Sequence, residues 1–183
     1  VMSGGRVGAF LAGRDGNDVI RMSGGLVGDV PDSNGAQGLF GGRDDDTIEV
    51  SGGRILGGVY GDATEVGAPG SFSARDTIRI SGGLIEGTVQ GGLNNDSIFI
   101  SSGEIVGNVY GDEPGDQGGD DVVQISGGSI GGDVLGGAGV DRLDLSSGTI
   151  AGAIRAFELI QFYGGSIGGD VILRGTSTSP STL

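Results

Sequence analysis

One position of this sequence repeatedly carries a carboxylate. It lies five residues before a Ser-Gly-Gly corner or its variant, and its copies are Asp18, Asp46, Asp76, Asp96, Asp121 and Asp141, with Glu158 in a shortened copy. Hard oxygen ligands of this kind suit Ca²⁺. Carboxylates stacked at strand spacing also repel one another unless a cation or backbone N–H groups compensate their charge. This Asp column therefore has two interpretations: a row of calcium sites, or Asx-turn caps in which each Asp accepts N–H bonds from its own turn.

A match to a known motif supports the calcium interpretation. Residues 136–144 read GGAGVDRLD, which is similar to the calcium-binding nonapeptide G-G-x-G-x-D-x-U-x of the repeats-in-toxin β-roll family. The blocks that end at Asp18, Asp46 and Asp96 match this motif only in part. That family places two nonapeptides in each turn, whereas this chain has at most one. The resemblance therefore implies Ca²⁺ at the Asp column but not a β-roll.

Composition removes several other kinds of site. The chain has no Cys and no His, so it offers no thiolate zinc site, no disulfide and no histidine base. Its 24 acidic and 10 basic residues give a net charge of −14. Nucleic acid and anionic membrane surfaces should repel such a chain. No run approaches 18 apolar residues, so we expect no membrane-spanning helix and no direct membrane insertion of this fragment.

An enzyme is the alternative from another functional class. Parallel β-helices include polysaccharide-active enzymes that use clustered carboxylates, and the candidates here would be Asp44, Asp45, Asp120 and Asp121 with Arg43 or Arg75. Adjacent acids in an extended strand point to opposite sides, and acids occur in most turns of this chain anyway. We therefore predict no enzymatic activity. An ice-binding surface would need a regular Thr ladder, which the mixed outward positions do not provide.

The acids belong to a repeat of about 20 residues, which signals a solenoid. Its corners are anchored at Ser3, Ser23, Ser51, Ser81, Ser101, Ser126, Ser146 and Tyr163. Apolar residues recur four residues after each anchor, from Val7 to Ile167, and one and three residues before it, as in Ile80 and Ile78. A fourth column follows eight residues after the anchor once insertions are allowed for: Leu11, Leu39, Val59, Val89, Val109, Val134, Ile154 and Val171. Such uniform columns predict stacked rungs, each side chain one strand spacing from its equivalent.

The repeat predicts one all-β domain, a parallel β-helix (β-solenoid) of about eight rungs over residues 1–174. Residues 175–183 should be a disordered Ser/Thr tail or linker. Insertions at 31–38, 63–75 and 113–119 interrupt the frame, and we expect all three to leave at one corner, between the fourth apolar column and the Asp column. The glycine two residues after each anchor should have a positive φ or no room for a Cβ.

The Gly-rich rungs resemble the passenger domains of bacterial type V autotransporters. The shortened rung at 157–162, FELIQF, followed by GGSI, is similar to the late rung of such passengers. The resemblance implies a single-stranded right-handed parallel β-helix, extracellular or on the outer membrane of a Gram-negative cell. It also implies a role in adhesion, self-association or virulence, and it transfers no catalytic residue.

One outward row has the composition of a recognition surface. Phe40, Tyr60, Tyr110 and Leu135 each follow the fourth apolar column by one residue and should face outward next to the insertions. Aromatic side chains supply large contact area with few rotors to freeze. We predict that this row and the loops bind a host surface protein, a glycan or a second copy of the chain. The alternatives are that the loops cover the row, or that the domain is a calcium-stabilised spacer.

Overall fold

The computed structural model describes residues 1–30, 35–62, 74–112 and 118–174. These residues form 17 β-strands and, in the described ranges, no helix that could cross a membrane. The strands are β1 (Arg6–Val7), β2 (Phe10–Arg14), β3 (Val19–Val27), β4 (Gly38–Gly42), β5 (Thr47–Ile55), β6 (Gly58–Tyr60), β7 (Thr77–Ile85), β8 (Val89–Gly92), β9 (Ser97–Ile105), β10 (Val109–Asp112), β11 (Val122–Ile130), β12 (Val134–Leu135), β13 (Arg142–Ile150), β14 (Ile154–Phe157), β15 (Leu159–Phe162), β16 (Ser166–Ile167) and β17 (Val171–Leu173).

The strands alternate between two parallel sheets. Sheet A has the order β1-β3-β5-β7-β9-β11-β13-β15, with β16 also paired to β13. Sheet B has the order β17-β14-β12-β10-β8-β6-β4-β2. Each rung contributes one long strand to sheet A and one short strand to sheet B, so the chain is the predicted all-β solenoid.

The four predicted apolar columns form the core. In sheet A, Ile78 pairs with Ile48 and Ile98, and in sheet B, Val89 pairs with Val59 and Val109. The members in the middle rungs are buried in one continuous cluster. At about 25 cal/mol for each Å² of apolar surface removed from water, these columns dominate the stability of the fold.

The six anchor corners from Ser23 to Ser146 lie inside the long strands of sheet A rather than between strands. The pairing register shifts there, for example between Ile80 and Ser81, which bends the strand. The glycine two residues after the anchor has a positive φ in all eight copies, between 80° and 109°. A Cβ on Gly83 would come to 3.0 Å from the carbonyl oxygen of Gly53. Both parts of the expectation for this glycine are confirmed.

The prediction of a single corner for the insertions is wrong. Leu39 pairs with Leu11 and Val59, so the extra residues of the first insertion precede the fourth column and connect β3 to β4. The other two connect β6 to β7 and β10 to β11. Two insertions therefore share one corner, and the first leaves at another. The bodies of all three loops, at 31–34, 63–73 and 113–117, lie outside the described residues, as does the predicted tail at 175–183.

The shortened rung replaces a glycine-rich turn with an aromatic side chain. Phe157 is completely buried and joins the core cluster. Beyond it the columns are less covered, and Phe162 and Leu173 are 56% and 58% exposed in the described structure. The middle rungs are thus the best-packed part of the solenoid.

Candidate functional site: a buried aspartate ladder

The Asp column forms a hydrogen-bonded ladder along one corner of the solenoid. In each step the backbone N–H of one Asp donates to the carboxylate of the Asp in the next rung, at donor–acceptor distances of 2.7 to 2.9 Å. The steps run from Asp18 to Asp46, Asp76, Asp96, Asp121 and Asp141. The last step ends on Glu158, whose Oε2 accepts from the Asp141 N–H at 2.7 Å. Glu158 therefore occupies the Asp position of its rung, as predicted.

This arrangement corrects the Asx-turn interpretation. The ladder hydrogen bonds join residues 17 to 30 positions apart in sequence, because each carboxylate accepts from the neighbouring rung and not from its own turn. The physical reason is the stacking itself: equivalent residues lie one strand spacing apart, about 4.8 Å, which a short Asp side chain can bridge. The ladder therefore links rungs to one another.

The second oxygen of each inner carboxylate is buried without a hydrogen-bond partner. This holds for Oδ2 of Asp46, Asp76, Asp96, Asp121 and Asp141. Each Oδ2 faces a glycine of its own rung. In the rungs without an insertion, that glycine comes five residues before the Asp, as Gly91 comes before Asp96. A Cβ on Gly61, Gly91 or Gly136 would come within 2.3 to 2.7 Å of that oxygen. Glycine at this position therefore makes room for the carboxylate.

Burial makes the inner carboxyls hard to ionise. Desolvation raises the pKa of Asp96 to about 10, while the N–H donated by Asp76 lowers it by less and the neighbouring carboxylates raise it further. For the same reasons the pKa of Asp76 and of Asp121 rises to about 8. Desolvation also raises the pKa of Asp141 to about 7 and that of Asp46 to about 6. The upward shift of the pKa is therefore largest at Asp96, in the middle of the ladder.

Two further acids lie beside the ladder. Asp62 and Asp112 end the same tetrapeptide, Val-Tyr-Gly-Asp, in the two rungs whose insertions share a corner. Oδ2 of Asp62 accepts the Leu93 N–H at 2.7 Å, and Asp112 accepts the N–H groups of Gly119 and Ala138 at 3.0 and 2.7 Å.

Asp62 and Asp112 lie outside the six-residue Asp column that the sequence predicts, because they come before the insertions and not after them. The repeated tetrapeptide Val-Tyr-Gly-Asp is the sequence signal that marks them. A Cβ on Gly92 would come to 2.4 Å from the Asp62 Cβ, and one on Gly137 to 2.2 Å from the Asp112 Oδ2. Gly92 thus makes room for the Asp62 side chain of the preceding rung, and Gly137 makes room for that of Asp112.

The geometry does not provide a separate metal cluster. Among the described residues, no group of three or more acidic side chains is arranged to hold a metal ion. Each inner Asp already uses one oxygen for a backbone N–H, and its other oxygen lies against a glycine. The ladder hydrogen bonds thus give each inner carboxyl one backbone N–H donor.

The acids named as candidates for catalysis all accept backbone hydrogen bonds. Asp44 accepts the Gly16 N–H, Asp45 the Arg75 N–H and Asp120 the Val140 N–H, at 2.8 to 2.9 Å. Asp121 is part of the ladder, and the Arg43 guanidinium lies 3.3 Å from Asp15. Each of these acids bonds to the backbone of another rung.

The predicted aromatic row is only partly available to a partner. Phe40 is 4% exposed, because its ring packs edge-on against Phe10 and stacks on Tyr60, with centroid distances of 5.7 and 5.2 Å. The expectation that Phe40 faces solvent is therefore wrong. Tyr60, Tyr110 and Leu135 are partly exposed, and the Tyr110 hydroxyl accepts a hydrogen bond from Asn108.

Comparison with protein-family models, with curated proteins and with solved structures finds no match to this chain.

Proposed function

We propose that this chain is a non-enzymatic, surface-displayed β-solenoid that acts in adhesion or self-association. One observation carries the proposal: the two Val-Tyr-Gly-Asp rungs place Tyr60 and Tyr110 in the same outward row, each immediately before an insertion at the same corner. They are separated by a single rung, that of Gln90. Two tyrosines, and the points at which two loops leave the solenoid, thus lie on the same edge with one rung between them, which is how recognition surfaces are commonly built.

The packing of this edge supports a display role. Tyr60 is held by its stack on Phe40, and its ring lies across Gly58, where a Cβ would come to 2.6 Å from the ring. Little rotamer entropy remains to be lost when a partner binds a side chain held in this way. The Leu135 side chain continues the same row beyond Tyr110.

The proposed location is outside a bacterial cell. It rests on the resemblance of the glycine-rich rungs and of the Phe157-Glu158 rung to autotransporter passengers. The chemistry is compatible with that setting, since the chain has no thiol to oxidise and a net charge of −14 that favours solubility.

Removing the two tyrosines tests the proposed surface. We expect Tyr60→Ala combined with Tyr110→Ala to reduce adhesion or self-association about tenfold or more, since truncation of an aromatic anchor commonly costs above 1–2 kcal/mol of binding. Adhesion to host cells and the sedimentation behaviour of the purified chain measure the two forms of the activity. Replacing 63–73 and 113–117 by the short turn of the Gln90 rung tests the loops in the same assays.

Tyr163→Ala is the matched control, because it truncates an exposed tyrosine of the last rung that lies outside this row. It should leave adhesion and melting temperature unchanged. Full adhesion by the double mutant at an unchanged melting temperature would exclude this surface and leave the domain as a spacer.

Calcium binding at the Asp column is a second proposal, of a calcium-stabilised spacer. The unpartnered Oδ2 atoms and the nonapeptide match at 136–144 support it. When bound, Ca²⁺ would neutralise carboxylates of the ladder, and it would stabilise the folded state by mass action. The carboxyls that would hold it are those of Asp46, Asp76, Asp96, Asp121 and Asp141.

Thermal melting with excess calcium and with a chelator tests whether calcium, or protons and backbone N–H groups, compensate the negative charge of the ladder. If calcium binds, the melting midpoint should be higher with calcium than with the chelator, because a hundredfold excess over Kd adds about 2.7 kcal/mol of stability. The difference should be larger at alkaline pH, because the carboxyls must lose their protons to bind calcium. Compensation by protons and N–H groups expects no dependence on calcium at any pH. Magnesium at the same concentration controls for ionic strength, and equal midpoints in all three solutions would contradict calcium binding.

A further inference from the structure

A groove crosses the outer face of sheet A, away from both the aspartate ladder and the tyrosine row. It has a volume of about 440 Å³ and lies between two rows of outward side chains. One row is Arg21, Glu49, Arg79 and Phe99, which are paired neighbours on β3, β5, β7 and β9. Four rungs at about 4.8 Å spacing give the groove a length of roughly 14 Å.

The other row consists of anchor serines, represented by Ser51, Ser81 and Ser101. All are exposed, and Ser101 makes only a long 3.5 Å contact with the carbonyl oxygen of Ile80. A hydroxyl both donates and accepts hydrogen bonds. The serine row is therefore suited to a ligand that itself carries hydroxyl groups.

The charged row leaves one cation without an acidic partner. Arg21 donates to Glu49 at 2.6 Å, so those two charges compensate each other. In the part of the chain that the structure describes, Arg79 makes no ion pair, and its guanidinium lies 4.3 Å above the centre of the Phe99 ring. A guanidinium stacked on a ring keeps its N–H edge free for a bidentate contact with a carboxylate or sulfate. Within the groove, Arg79 is therefore the unpaired cation that an anionic group would meet.

We propose that the groove binds a short linear oligosaccharide that carries carboxylate or sulfate groups. Arg79 binds the anionic group, Phe99 holds Arg79 in place, and the serine row binds the sugar hydroxyls. An acidic peptide fits less well, because β3, β5, β7 and β9 are paired on both sides and offer no free edge for main-chain hydrogen bonds. The groove is separate from the proposed adhesive edge, so either site can fail without the other.

Calorimetric titration of the full chain tests the proposal with four probes: trigalacturonate, a sulfated trisaccharide, neutral cellotriose and a polyglutamate peptide. We expect binding of trigalacturonate or the sulfated sugar that weakens with salt, and at least tenfold weaker binding of cellotriose and of the peptide. Which of the two anionic sugars binds more tightly identifies the anion. Equal binding of cellotriose, or tight binding of the peptide, would overturn the assignment to an acidic glycan.

Variants locate the site. Arg79→Gln should weaken sugar binding about tenfold. Arg79→Lys should weaken it by less, because lysine keeps the positive charge but cannot make the bidentate contact of a guanidinium. Arg75→Gln is the matched control: Arg75 lies outside the groove, and this change removes the same charge and should leave affinity unchanged. Since Arg79 is exposed, all three proteins should melt together. Unchanged affinity in Arg79→Gln, or an equal loss in Arg75→Gln, would overturn the proposal.

Discussion

Ile85→Asp is expected to unfold the middle rungs. Ile85 is completely buried and stacks between Ile55 and Ile105 in sheet A. The change loses roughly 1.5–3 kcal/mol of apolar burial and places a carboxylate among the apolar side chains of the core, which adds several kcal/mol. The sum is comparable to the whole stability of a typical domain. Far-UV circular dichroism and thermal melting measure the result.

Val106→Asp is the matched control, because it makes the same kind of change at a residue that is 49% exposed and adjacent to the buried Ile105. It should melt close to the parent protein. A parent-like melting curve for Ile85→Asp would show that the apolar columns do not hold the solenoid together.

Stability should fall as pH rises, the reverse of the usual behaviour of carboxylates in ion pairs. The ladder carboxyls have folded pKa values above the ordinary value of 3.8 for Asp, so the folded state binds more protons than the unfolded state. Their contribution is fully present below about pH 4. It is lost progressively as pH rises, through about 6 for Asp46 and up to about 10 for Asp96.

The expected size of this effect follows from a simple conversion. Each tenfold difference in proton affinity between the folded and unfolded states corresponds to about 1.4 kcal/mol. A tenfold difference at each of two carboxyls would lower the melting temperature by roughly 6–11 °C for a domain of this size. Melting midpoints across this pH range, at constant ionic strength, measure the slope.

Asp96→Asn separates the ladder from the general effect of charge. Asn keeps an oxygen to accept the Asp76 N–H but cannot ionise, so the fall in stability with pH should become shallower. Asp170→Asn removes one exposed carboxylate of the last rung and should leave the slope unchanged. Stability that rises with pH in the parent, or equal slopes in both variants, would contradict buried neutral carboxyls.

The ladder and the core make different demands on the same repeat. An apolar column accepts Ile, Val or Leu at any of its positions, because these side chains are similar in size and all are apolar. The ladder is stricter, because each step needs a carboxylate, a donor N–H and a facing glycine in adjacent rungs. In the shortened rung, Glu158 replaces the ladder Asp, and Ala156 occupies the position equivalent to Gly136. The longer acid and the loss of the facing glycine therefore occur in the same rung.

The sequence by itself determined the architecture. Apolar residues alternate with a period of two along each strand, and the whole pattern repeats about every 20 residues. Together these two periods identify the inward columns, because a stacked rung has only one set of positions that can face the core. The positive φ of the corner glycines, and the place of Glu158 in the Asp column, follow from the same frame. These properties depend only on a residue's place in the repeat.

Tertiary structure decided what depends on contacts between rungs. The partner of each ladder carboxylate is a backbone N–H one rung away, which no local turn pattern can specify. Phe40 is buried because Phe10 and Tyr60 happen to flank it, and the first insertion leaves at another corner because Leu39 pairs with Leu11. A sequence frame shows that residues were inserted, but only the pairing of strands shows on which side of a column they lie.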